Sequence, residues 1–323
     1  MTNNNNLIIQ TENLTKRFRQ ITAVAGLNLE IKQGEIYGLV GPDGAGKTTT
    51  VRMLAAIMDP SEGGATIAGF DLRKQPERIK ERIGYMAQQF ALYGDLTVLE
   101  NISFFADVYG VSGKIRRQRI DELLSFARLT EFTNRRAGRL SGGMKKKLGL
   151  ACALIHSPEI LYLDEPTTGV DPVSRREFWD ILAGLHAAKT TVLVNTPYMD
   201  EAERCSRVGL MYGGRLIEYG TPEHIKGLIP GELMEFRPES DSVRGVGLLR
   251  LANRLLTGLE GVLEVQTYGD LMHVFVDDIA RRQPQIEAAL AAEHIRIENF
   301  RRTMPRMEEA FISLIGRQEA QHD

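Results

Sequence analysis

The stretch Gly41-Pro-Asp-Gly-Ala-Gly-Lys-Thr48 decides the fold. Its spacing, G-x-x-x-x-G-K-[ST], is that of a loop whose backbone N–H groups converge on phosphate oxygens. The context agrees with the motif. Glu35-Ile-Tyr-Gly-Leu-Val40 reads as a short apolar strand before it, and Lys47 to about Met58 as a helix after it, stopped at Asp59-Pro60. Gly41, Gly44 and Gly46 let the main chain approach the ligand closely, with Asp43, Ala45 and Thr49 completing the cradle. The helix N-terminus adds a dipole that favours anions. Lys47 is placed to reach the β- and γ-phosphates, and Thr48 to bind Mg²⁺. A glycine-rich turn matching by chance is the bland alternative, and ordinary residue frequencies put it at about 1%.

Working outward, Ile160 to Leu163 is a compact apolar run between Pro158 and Asp164, the pattern of a strand buried on both faces. It ends in two carboxylates, Asp164 and Glu165, and ligands of parallel α/β sheets lie at the carboxyl ends of strands. Asp164 is expected to hold Mg²⁺ directly or through water, and Glu165 to polarise an attacking water. Helix 173–188, strand Thr190 to Val194, helix 199–204 and strand Val208 to Tyr212 continue the alternation of an α/β core. Leu27-Asn-Leu-Glu-Ile31 alternates with period two, residues 63 to 86 read as pairs of short strands, and residues 99 to 156 read as mainly helical. Composition shifts near Gly227 to Gly231. Beyond it, strand 232–237, helix 246–257, strands 262–267 and 271–276, helix 284–292 and helix 305–316 make a small α+β domain.

Composition limits the function classes. The chain has 323 residues, 43% hydrophobic and 25% charged, enough for a sizeable core. A net charge of −2 supplies no basic field, so no nucleic-acid partner is expected. Two cysteines, Cys152 and Cys205, fit a reducing compartment, and Cys152 reads as a small core residue. Met1 to Asn6 is polar and reads as a disordered tail rather than a secretory leader. No apolar run approaches the ~20 residues of a spanning helix, which leaves membrane work to a partner.

At this point the residues carry a resemblance. Leu140-Ser-Gly-Gly-Met144, 24 positions before Asp164, resembles the signature motif of ABC transporter ATP-binding subunits. Gln88, 41 positions after Lys47, resembles the family's Q-loop glutamine, with Gln89 beside it as the alternative. Gly169-Val-Asp171 resembles the D-loop, and Phe18 stands where the family places a ring on adenine. These elements occur in the family's order over residues 7 to about 222. The resemblance implies a P-loop NTPase core of ABC type over 7–226, with an antiparallel β subdomain and a helical subdomain near 90–158. It further implies an accessory α+β domain over 232–316 and a tail at 317–323. It also implies ATP and Mg²⁺ as cofactors, with Gln88 at both the cation and the attacking water. Ser141, Gly142, Gly143 and Asp171 would serve nucleotide in a head-to-tail dimer with a second nucleotide-binding domain, whether a copy of this chain or a different one. Tyr198-Met-Asp-Glu-Ala-Glu203 and Met307-Glu-Glu-Ala-Phe311 resemble the subgroup that powers ABC-2 type export permeases. That places the chain on the cytoplasmic face of a membrane, held there by the permease.

Two positions depart from the pattern. Pro197, 33 residues after Asp164, stands where the family carries a histidine that contacts the γ-phosphate. Proline has neither a side-chain donor nor a backbone N–H. Two readings compete. In one, the site hydrolyses slowly or not at all and the chain pairs with a different, intact nucleotide-binding subunit; in the other, Glu165 suffices and the histidine is dispensable. With Lys47, Thr48, Asp164, Glu165 and Gln88 all present, impaired but not absent hydrolysis is the expectation. Asp43 replaces a customary asparagine and adds negative charge near the phosphates. Among weaker signals, Phe90, Leu92 and Tyr93 are apolar in a loop and, by resemblance, line a groove for the permease. Lys145 to Lys147 reads as a solvated helix face.

Overall fold

The computed structural model describes residues 6–89 and 92–320. Compact packing divides the chain after Pro222, and the two units are described separately.

The first unit begins with β1 (Leu7–Phe18), β2 (Ile21–Leu27) and β3 (Glu30–Lys32). Leu27, Leu29 and Ile31 are all buried while Asn28 and Glu30 face solvent, as the alternation predicts, although the strand breaks between residues 27 and 30. β4 (Ile36–Val40) has every residue buried and feeds the glycine loop. The helix after it, α1 (Lys47–Leu54), stops four residues short of the expected end, and Ala56 turns back at φ 54°. β5 (Glu62–Ile67) and β6 (Phe70–Asp71) form a hairpin. The sequence reading continues strands to residue 86, but α2 (Pro76–Lys80) intervenes, opened by a proline at a position whose N–H needs no partner. β7 (Ile83–Met86) therefore belongs to a different sheet from β5.

The helical region comprises α3 (Val98–Val108), α4 (Gly113–Phe126) and α5 (Gly142–Leu154). A reciprocal cap starts α3: Thr97 Oγ1 accepts from Glu100 N, and Glu100 Oε2 accepts from Thr97 N. Ile102, Leu124, Leu148 and Cys152 share one core, so Cys152 is the small core residue expected. β8 (Ile160–Asp164), α6 (Pro172–Ala187), β9 (Thr191–Thr196), α7 (Met199–Ala202), β10 (Arg207–Tyr212) and β11 (Arg215–Gly220) complete the unit. Six strands stand in the order β11-β10-β4-β9-β8-β7, parallel except for β11. β1, β2, β3, β5 and β6 form a separate antiparallel sheet.

After α8 (Pro222–Lys226), the second unit contains β12 (Glu232–Glu239), α9 (Val246–Thr257), β13 (Val262–Tyr268), β14 (Leu271–Val276), α10 (Ile279–Ala292), β15 (Arg296–Thr303) and α11 (Met307–Ala320). Its antiparallel sheet runs β13-β14-β12-β15. Leu248, Ala252 and Leu256 of α9 and Ile286 and Leu290 of α10 pack with Phe236 and Val274 of the sheet. The reading begins α10 at Pro284, whereas it starts at Ile279 under an Asp278 cap and runs through the proline. β15 has no counterpart in the reading. The segment assigned to a tail continues α11 to residue 320, while residues 1–5, 90, 91 and 321–323, Phe90 among them, lie outside the described residues.

Candidate active site

Parallel strand order brings four loops to one edge. β4 ends at the glycine loop, β9 at Thr196, β8 at Asp164 and β7 two residues before Gln88. Between them lies a pocket of about 320 Å³ lined by Phe18, Ala23, Asp43, Gly44, Ala45, Gly46, Lys47, Thr48, Thr49 and Glu165. Gly44 and Gly46 hold φ of 80° and 97°, conformations natural to glycine. A Cβ on Gly41 would stand 2.2 Å from Met211 O, and one on Gly46 2.3 Å from Ala23 O, so the loop has room for glycine alone.

Lys47 is buried, 4% exposed, and its Nζ donates to Gly41 O at 2.8 Å and Pro42 O at 3.0 Å. Burial pushes its ammonium pKa down, and the nearby Glu165, Asp43 and Asp164 push it back up. Thr48 Oγ1 donates to Asp164 Oδ1 at 2.8 Å. A hydroxyl lining the pocket and a buried carboxylate behind it are the hard donors Mg²⁺ takes from protein in nucleotide sites. Tyr85 OH reaches Asp164 Oδ2 at 3.4 Å. Burial and that carboxylate raise the Tyr85 pKa, so the phenol stays a donor.

Glu165 sits at φ 49°, a left-handed conformation uncommon for a residue with a Cβ. Its N–H bonds Asn195 O at 2.9 Å. Its Oε2 accepts from Gln88 Nε2 at 2.7 Å and Thr168 Oγ1 at 3.1 Å. Gln88, rather than Gln89, thus faces the carboxylate, and no bond joins Gln88 to Thr48 or Asp164 among the described residues. Sequence reasoning missed Asn195, Tyr85, Thr168 and Lys146. Asn195 at a parallel strand's carboxyl end was the one with a signal.

The lysine run corrects the reading of a solvated face. Only Lys145 is exposed. Lys146 Nζ donates to Gln88 O at 2.7 Å and Glu165 O at 3.4 Å, and burial lowers its pKa. Lys147, buried, pairs with Glu177 at 2.7 Å.

Ser141, Gly142 and Gly143 do not line the phosphate pocket. They open α5, with Ser141 Oγ accepting from Met144 N at 3.3 Å. Gly143 lies against α6, where a Cβ would meet Ser174 at 2.5 Å. Asp171 caps α6 through Val173 N and Ser174 N. Those N–H bonds lower its pKa. Pro197 follows β9, half-buried, with Tyr198 beside it beneath the Arg175 guanidinium at 4.4 Å.

The family model described as ABC transporter matches residues 24–168. The chain is 41% identical over 314 residues to a probable multidrug ABC transporter ATP-binding protein, YbhF, of Escherichia coli (strain K12), covering 97% of this chain and 53% of that one. It is 34% identical over 309 residues to the daunorubicin resistance ATP-binding protein DrrA2 of Streptomyces coeruleorubidus, covering 95% of each. The chain belongs to the ABC transporter family. It thus spans about half the length of YbhF and nearly all of DrrA2. A solved ATP-binding cassette, MJ0796, dimeric and bound to ADP and Pi after hydrolysis, superposes with TM-score 0.61 at 29% identity, covering 66% of this chain and 98% of that one. The ABC core is therefore the P-loop α/β architecture expected. Among the described residues no helix is long and apolar enough to cross a membrane.

Proposed function

We propose that this ABC chain binds MgATP in the pocket above, hydrolyses it, and so drives export of small drug-like molecules through a separate ABC-2 type permease. The observation that carries the reading is the convergence of Lys47, Thr48, Asp164, Glu165 and Gln88 at one edge of the parallel sheet. Phe18 takes the adenine; Gly41 to Thr49 and Lys47 take the phosphates; Thr48 and Asp164 take Mg²⁺. Glu165 orients the attacking water, with Gln88 moving from Glu165 towards the cation as nucleotide enters. The names of YbhF and DrrA2 support the drug-export assignment.

The partner domain follows from incomplete enclosure. Ser141 and the N–H groups of Gly142 and Gly143 open a helix of 13 residues away from the chain's own phosphates. A second nucleotide-binding domain places them on its ATP, as the dimeric MJ0796 cassette supports. Closure is then a population shift driven by ATP's preference for the dimer. Leu92 lines a groove with Gln88, Gly94 and Gly138, while the Tyr93 and Phe104 rings lie 4.7 Å apart at the surface. They form the docking face for the permease, which holds the chain at the cytoplasmic side of the membrane.

Pro197 favours a second reading, in which this site binds ATP with little turnover beside an intact partner. The steady-state ATPase rate of the purified chain, with Glu165→Gln as blank, separates the two. Turnover above the blank supports a competent homodimer. Tight ATP binding with turnover equal to the blank supports the regulatory role, and loss of ATP binding sinks both.

A further inference from the structure

Asn195 is a buried polar side chain that none of the motifs above uses. It stands on β9 in register with Asp164 on β8, so the two side chains leave neighbouring strands side by side. It is fully buried. Its Nδ2 donates to Asp164 Oδ1 and, at 3.2 Å, to Thr48 Oγ1. Those are the two oxygens assigned to the cation. Its own Oδ1 is buried and lacks a hydrogen-bond partner among the described residues.

A buried carbonyl oxygen without a donor is rare in folded proteins and calls for a reason. The two ends of a carboxamide are nearly the same size, so a half-turn about χ2 exchanges them without moving the backbone. After that turn, Oδ1 stands where Nδ2 stands, beside Thr48 Oγ1 and Asp164 Oδ1. Hydroxyl, carboxylate and carbonyl oxygens are the donor set that Mg²⁺ and Mn²⁺ prefer. The carbonyl also adds a ligand without adding charge to a pocket where Asp43, Asp164 and Glu165 already act on Lys47.

We infer that Asn195 is a further residue of the divalent-cation site: its oxygen serves the cation, and its nitrogen ties Thr48 to Asp164 otherwise. The inference rests on the MgATP reading. Its test uses the full-length chain and a Mn²⁺ titration followed by electron paramagnetic resonance, with a non-hydrolysable ATP analogue present. Asn195→Ala is expected to weaken Mn²⁺ binding roughly tenfold to a hundredfold, while Asn195→Asp, which keeps an oxygen, stays within about threefold of the parent. Nucleotide affinity measured in EDTA is expected to be unchanged in Asn195→Ala, and to fall in Asn195→Asp, whose added negative charge opposes the phosphates when no metal is bound. Unaltered Mn²⁺ affinity in Asn195→Ala overturns the inference. So does an equal loss in Asn195→Asp, since a carboxylate cannot donate and the residue would then act only as a hydrogen-bond donor. Should melting show Asn195→Ala to be unfolded, Asn195→Ser replaces it, with the same loss expected from a side chain too short to reach. A parent that binds no nucleotide with or without metal refutes the MgATP reading itself, and the parent alone reveals that.

Discussion

Glu165 is held twice, by its left-handed backbone and by hydrogen bonds from Gln88 and Thr168. Replacing it with glutamine keeps the shape and removes the carboxylate proposed to orient the attacking water. Glu165→Gln is expected to bind ATP as the parent does while turnover falls by roughly 10²–10³, read by ATPase assay beside equilibrium binding. On the proposed reading Pro197→His supplies the donor the loop after β9 lacks, and turnover is expected to rise by up to about 10²; no rise would show that the histidine is dispensable here. Lys47 carries a pH signature. Because burial lowers its pKa below the ordinary 10.5, its charge is lost at lower pH than that of a free lysine. ATP affinity is therefore expected to be intact near neutrality and to fall on the alkaline side before pH 10.5, as binding isotherms across pH would show.

At the scale of elements, the glycine loop is fixed by what surrounds it. Gly41→Ala drives a Cβ into Met211 O on β10, an atom of the sheet that cannot yield. The expected cost is about 1–3 kcal/mol of stability by denaturant unfolding, with ATP binding weakened in parallel. A flexible loop that absorbs the methyl would leave both unchanged. Elements that were invisible in the sequence are those held by main-chain bonds rather than burial. β15, Arg296-Ile-Glu-Asn-Phe-Arg-Arg-Thr303, is an edge strand with a mostly exposed face, so its side chains carry no period-two signal. β11 likewise has no buried residue, being half-buried at best with Arg215 and Tyr219 exposed, and attaches through the Gly213-Gly214 turn. The strand over 160–164 was legible because both its faces are covered.

For the whole molecule, each unit has a buried core of its own. In the second, Arg282 is 3% exposed and grips both oxygens of Asp277 at 2.7 Å. The grip holds the Asp277 pKa at about 2, below the usual 3.8. A depressed carboxyl pKa stabilises the fold above its unfolded value, so this contribution is complete above pH 3.8 and drains away as pH falls towards 2. Melting of Asp277→Asn is expected to lie below that of the parent near neutrality and to converge with it at the acid end. A gap that persisted at low pH would assign the loss to packing instead. On the opposite face of that sheet, Ser313 Oγ donates to Glu264 at 2.6 Å and Gln266 Nε2 to the Glu309 carbonyl at 3.3 Å. His273 Nδ1 lies 3.0 Å from Glu309 Oε1. The Met307 to Phe311 motif is thus docked through the buried apolar side chains of Met307, Ala310 and Phe311 together with the polar contacts of Glu309.

The sequence by itself determined the phosphate loop, its acidic partners and the α/β core. Those rest on fixed local spacing, on glycine where backbone must approach a ligand, and on the continuous apolar runs of strands covered on both faces. Only the tertiary structure decided which side chains share the pocket's inner wall. Asn195 meets Asp164 because β8 and β9 are neighbours in register, and Lys146 meets Gln88 because α5 passes beside that loop. Both pairings join residues 31 or more positions apart. No local period encodes such a pairing; the order of strands in the sheet does.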